Sequence, residues 1–219
     1  MDARALILRA FGIASAPVKV RAYVLGPSLS AAELPSCLGR ASAVVHKRAV
    51  WAPPLRAVVL WAKESEKTQR SLVHELAHAI LDMKQMLRPL PPAIYEGFAM
   101  MLEHRCCDDG GQWRLSWARK GCRLALERGH LQSVDELLSV TTTELSASTR
   151  YRTAVFYAQA MMLVRFLVSL GRADEDWTML AEVARAFRAG GEDRGVALCR
   201  ACGQDAAEIE GGYRASCGA

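Results

Sequence analysis

Long apolar runs are missing from this 219-residue chain, so no membrane-spanning helix is expected. The richest stretch, Ala154 to Leu170, is broken by Gln159 and Arg165. The N-terminus has no uninterrupted apolar segment either. Arg9 follows Leu6-Ile7-Leu8, which makes a poor signal-peptide core, and a cytoplasmic protein is the expectation. Neither sign of charge dominates. With 28 Lys and Arg against 23 Asp and Glu, the net charge of +5 is too diffuse to point to nucleic acid. Low-complexity tracts are lacking, which excludes disordered and collagen-like readings. A second CxxC pair is also lacking. Among seven cysteines only Cys199-x-x-Cys202 has that spacing, so a thiolate zinc site is not expected. A chain of this size needs no disulfide framework, and reduced thiols are expected.

What is present is the composition of an ordinary globular domain, 51% hydrophobic and 23% charged. Such a chain buries roughly 70% of its unfolded surface. The first 66 residues read as β-rich. Val18 to Leu25 is β-branched and ends at Gly26-Pro27, Ala43 to Val50 ends near Pro53-Pro54, and Arg56 to Trp61 is a short apolar run. A short helix is expected over Ser28–Leu34, capped by Ser28 or Ser30. From Thr68, a plausible N-cap, the pattern turns helical. Leu72, Leu76, Ile80 and Met83 form one apolar stripe, stopped by the prolines between Arg88 and Pro92. A second helix is expected from Pro92 or Ala93 through Cys107. Further helices are expected around Trp113–Arg128, Val134–Val140, Ser148–Leu170, Asp176–Arg188, Gly195–Cys202 and Asp205–Arg214. Trp113 and Trp117, at helical spacing, read as packing residues, as do the methionine groups. His46, His104 and His130 receive no role.

The chemistry concentrates in His74-Glu75-Leu76-Ala77-His78. This composition yields HExxH by chance only about 0.007 times per chain. Residues i and i+4 of a helix lie about 40° apart around its axis, so His74 and His78 offer two nitrogens to one Zn²⁺. Glu75, one residue on, stands beside the metal and can take a proton from a water there. A catalytic zinc site needs a third protein ligand and an open position. Glu96, eighteen residues after His78, lies in the first turn of the second helix, which the proline-rich turn allows to fold back. Gly97 removes a side chain where these two helices would cross closely.

QRSLVHELAHAILDM followed by PPAIYEGFAMMLEH resembles the gluzincins, zinc peptidases with HExxH and a distal Glu, and in particular the bacterial peptidase MA-like branch. There the second motif often reads EGxAxxxE, and Glu96, Gly97, Ala99 and Glu103 match it. The resemblance is strong over Thr68–Glu103 and weaker over Val18–Arg214. It implies an α+β, thermolysin-like (zincin) catalytic domain, with a small N-terminal β-sheet and a mostly helical C-terminal half. One domain would span 1–219, with β-rich 1–66, zinc-site helices in 67–107 and helical 108–219. It implies Zn²⁺ on His74, His78 and Glu96, Glu75 as general base, and a peptide or protein substrate. In aminopeptidase-like gluzincins a tyrosine on a downstream helix stabilises the oxyanion; Tyr157 is the first candidate and Tyr151 the second. Glu103, seven residues after Glu96 on the same helical face, could orient His74 or His78. The chain departs from thermolysin where that enzyme has an Asp four residues after its third ligand: Met100 stands there. Two other readings remain open. One is an HExxH regulatory protease of the antitoxin- or repressor-cleaving type; the other is a non-catalytic zinc-holding module.

Overall fold

The structure, a computed structural model, describes residues 19–25, 49–53, 56–61, 65–83, 90–107, 113–171 and 177–218. The helix expected over Ser28–Leu34, together with Cys37 and His46, lies outside them. Three strands come first: β1 (Arg21–Leu25), β2 (Ala49–Ala52) and β3 (Ala57–Trp61). The sheet order is β1-β3-β2. β1 runs parallel to β3, with Arg21 opposite Ala57 and Leu25 opposite Trp61. β2 runs antiparallel to β3, with Ala49 opposite Leu60 and Ala52 opposite Ala57. The β2–β3 turn is closed by the Arg56 N–H, which donates to the Pro53 carbonyl at 3.1 Å. Arg56 takes a left-handed φ of 47° there, a strained conformation for a side chain with a Cβ.

Nine helices follow among the described residues: α1 (Ser65–Met83), α2 (Pro92–Cys107), α3 (Trp113–Glu127), α4 (Val134–Ser139), α5 (Thr142–Ala147), α6 (Arg150–Ser169), α7 (Thr178–Ala189), α8 (Arg194–Cys202) and α9 (Ala206–Cys217). The described chain is thus a mixed α+β structure, mostly helical, with one small sheet. The elements differ from expectation in three places: α9 runs on to Cys217, past the expected end at Arg214, and the other two concern α1 and α5. α1 begins at Ser65, so Thr68 lies inside the helix and does not cap it. The helix α5 was not expected at all. It is closed by a capping box in which Thr141 accepts from the Glu144 N–H and the Glu144 carboxylate accepts from the Thr141 N–H.

α1 has two apolar faces, where its sequence reads as one stripe. Leu72, Leu76, Ala79 and Met83 pack with Trp51, Val58 and Leu60 of the sheet. Val73, Ala77, Ile80 and Leu81 join the helical core instead. Ile80 therefore leaves the stripe, because the helix lies between two packed layers. Beyond it, α2 and α6 are apolar nearly all round and are buried accordingly. Met100, Met101, Met161 and Met162 fill this core. Trp113 does not: it is 53% exposed, with the guanidiniums of Arg70 and Arg114 against its ring.

α2 and α6 cross with no room for a methyl group. A Cβ at Gly97 would stand 2.2 Å from the Ala160 carbonyl oxygen and 2.8 Å from Cγ2 of Val164. Gly97 thus serves the α2–α6 crossing, not the α1–α2 crossing that its place beside Glu96 suggests. Gln159, wholly buried on α6, fastens this layer to its neighbours. Its Oε1 accepts from the Gln132 N–H at 2.7 Å and from the Tyr213 hydroxyl at 3.1 Å. The obstruction at Gly97 is backbone, which cannot swing aside. Gly97→Ala is therefore expected to destabilise the fold by about 3 kcal/mol or more, read as a lower midpoint in urea unfolding.

Candidate metal centre

α1 and α2 meet where the HExxH turn faces the start of α2; Glu96 is the fifth residue of that helix, one turn later than the first-turn position expected from the sequence. Pro91 and Pro92 bring this about. Pro91 lends its carbonyl to the Ile94 N–H at 2.9 Å, and Pro92 occupies the first helical position. Glu96 then projects back toward α1. Nε2 of His74 lies 3.0 Å from Nε2 of His78 and 3.2 Å from Oε2 of Glu96. Nε2 of His78 lies 3.4 Å from the same carboxylate oxygen. Three potential ligand atoms from two helices thus converge on one point. Their side chains keep 11% to 16% exposure, so solvent reaches them.

The donor set fits a metal ion. Bonds of about 2.0–2.1 Å in a tetrahedron put ligand atoms roughly 3.3 Å apart. The observed separations fall around that value. The tautomers agree as well. Nδ1 of His74 is 2.7 Å from Oε1 of Glu103, and a proton on Nδ1 directs the Nε2 lone pair toward the other two donors. His74, His78 and Glu96 can therefore hold a metal ion.

Electrostatics knit the group together. Burial pushes the Glu96 carboxyl up, but the His78 charge and the hydrogen bonds of both histidines outweigh it and hold it far below the usual carboxylate range. Burial likewise opposes the charged form of His74, and Glu103 and Glu96 outweigh it, raising its pKa well above the ordinary value. Glu103, only 4% exposed, is itself lowered by His74 and by Arg114, with which it forms an ion pair. Arg114 on α3 thus stands behind the carboxylate that stands behind His74. His78 has no such support: its Nδ1 is buried without a hydrogen-bond partner among the described residues.

The other expected residues take these positions. Oε2 of Glu75 accepts the Trp51 N–H of β2 at 2.7 Å. The same tryptophan donates its indole N–H to Asp82 at 3.0 Å, seven residues along α1. Burial raises the Tyr157 hydroxyl far above its usual range, followed by the charges of Glu96 and Glu75. That hydroxyl therefore shares the surroundings of the metal-ligand group. Tyr151 is elsewhere, its hydroxyl 3.4 Å from Nδ1 of His130 and its ring under Arg128. The described cysteines are free, and none belongs to the group.

Two contributors have no signal in the motif. Tyr95 sets its ring edge-on to His78, with centroids 5.5 Å apart, and meets Thr142 of α5 at 3.2 Å. Adjacency to Glu96 could have pointed to Tyr95. Trp51 lies far away in sequence, and nothing local marks it.

Comparisons with protein-family profiles, with curated proteins and with solved structures returned no match.

Because Glu103 lies within hydrogen-bond distance of Nδ1 of His74, Glu103→Ala is expected to weaken binding of a divalent metal ion, with Zn²⁺ as the probe, about 10- to 100-fold. Competition with a chromophoric chelator measures this directly. Unchanged affinity in the folded variant would remove Glu103 from the site.

Proposed function

We propose that the protein is a zinc-dependent peptidase of gluzincin type. The observation that carries the reading is the convergence of His74, His78 and Glu96 at 3.0–3.4 Å, with Glu75 next in sequence to the first of them. Two histidines and one carboxylate are the ligand set of peptidases that keep a coordination position open. Bound there, zinc would supply an electrophile for a carbonyl oxygen and lower the pKa of a water to about 7.

The chain's own groups have separate tasks. Glu75 is the general base. Its carboxylate takes the proton of the attacking water and passes it to the leaving amine. The Trp51 N–H holds this carboxylate in place from the sheet side. Tyr157 is the candidate oxyanion donor. A hydroxyl whose pKa is raised by burial and by two nearby carboxylates stays protonated at neutral pH, and so can donate a hydrogen bond to developing negative charge. The Glu103–His74 contact keeps one ligand oriented throughout.

Purified without chelator, the protein is expected to carry one zinc per chain and to cleave peptides in a mixed-sequence library. Glu75→Gln should retain zinc and lose about 10²–10⁴-fold in turnover. Full turnover by the zinc-loaded variant would refute Glu75 as the base, and wild-type protein that holds zinc but cleaves nothing would refute the peptidase reading. Tyr157→Phe should lower kcat about 10²-fold at unchanged zinc affinity. A fully active Tyr157→Phe would leave the oxyanion without a tyrosine donor.

A further inference from the structure

Away from the metal centre, α3, α6 and α9 line an open cavity of about 600 Å³. Its charged lining has one sign. Arg119 and Arg123, one turn apart on α3, meet Arg165 of α6 there. Ser169 and Ser216 also line it, but their hydroxyls donate to main-chain carbonyls, of Phe166 and of Tyr213 and Met162, so the arginines are its charged donors; no Asp or Glu lines the cavity among the described residues. None of the three guanidiniums makes an ion pair or hydrogen bond with another described residue.

Gathering three like charges costs free energy unless a counter-charge offsets it. Arg165 carries part of that cost. Its pKa is lowered, first by burial and then by the charge of Arg119. The C-terminal ends of α6 and α9, at Ser169 and Gly218, offer only partial negative charge, about half a unit each and screened by water. They favour arginine here without neutralising three. The fork of a guanidinium matches the oxygens of a phosphate two at a time, and three forks from two helices suit a dianion better than a carboxylate. The cavity is larger than inorganic phosphate requires, and Phe166 gives it an apolar wall.

We propose that this cavity is a binding site for a small organic phosphate, its phosphate group gripped by Arg119, Arg123 and Arg165. The site is separate from the metal centre and does not depend on peptidase activity.

The test is calorimetric titration of the full, zinc-loaded chain with phenyl phosphate and with inorganic phosphate, in phosphate-free buffer of low ionic strength. One saturable equivalent of phenyl phosphate is expected, bound more tightly than inorganic phosphate and weakened by added salt. Arg119→Gln and Arg165→Gln should each weaken it about tenfold or more. Amide chemical shifts in the wild-type protein locate the ligand whether or not the variants fold. They should move around Ser169 and Ser216. The proposal is overturned by absence of saturable binding, by equal affinity for the two probes, by unchanged binding in the folded variants, or by shifts centred on His74–His78.

Discussion

The close approach of α2 to α6 at Gly97 governs the rest of the site. With backbone against backbone at that point, neither helix can slide or roll without collision. Glu96 precedes the contact by one residue and Tyr157 precedes Ala160 by three, so both are placed relative to the same fixed crossing. Glu103, two turns further along α2, is placed by it as well. One glycine thus locks a ligand, its supporting carboxylate and the nearby hydroxyl into one rigid unit. α1 then has only to bring His74 and His78 to that unit.

Charge is arranged in depth behind the candidate ligands His74, His78 and Glu96. Arg114 meets Glu103, Glu103 meets His74, and His74 meets Glu96, with signs alternating when the imidazole is charged. A carboxylate as buried as Glu103 is costly alone, and the Arg114 guanidinium together with the His74 Nδ1 contact makes it tolerable. The row also couples α3 to the metal centre, although α3 supplies no ligand. α5 reaches the same centre from another side, through the Tyr95–Thr142 contact. The ligands are therefore held by more of the fold than the two helices that carry them.

Much of this is legible in the sequence where the signal is local. The HExxH spacing, the proline at the start of α2 and the glycine that ends α8 state their geometry within a few residues. So do the approximate spans of α3, α4 and α6. What escapes is what depends on distant partners. The apolar residues of α1 look like one stripe because a sequence cannot show that a helix will lie between two layers. Gly97 looks like a spacer toward α1 because α6 is more than fifty residues away. Trp113 reads as core because its arginine neighbours lie on two different helices. α5 is the exception: Thr141 and Glu144 carry a local capping signature, yet the six-residue helix that follows has only Leu145 and Ala147 as apolar residues and shows no apolar period.

Trp51 ties the chemistry of the site to the sheet. Its main-chain N–H holds Glu75 and its indole holds Asp82, so β2 is pinned along α1 at two points separated by two helical turns. Successive residues of a strand face opposite ways. A slip of β2 by a single residue against β3 would take the donor from Glu75 and the indole from Asp82 in the same movement. The orientation of the glutamate beside the metal site is thus specified by strand registry, and a pairing error in a three-stranded sheet would be felt there before any ligand had moved.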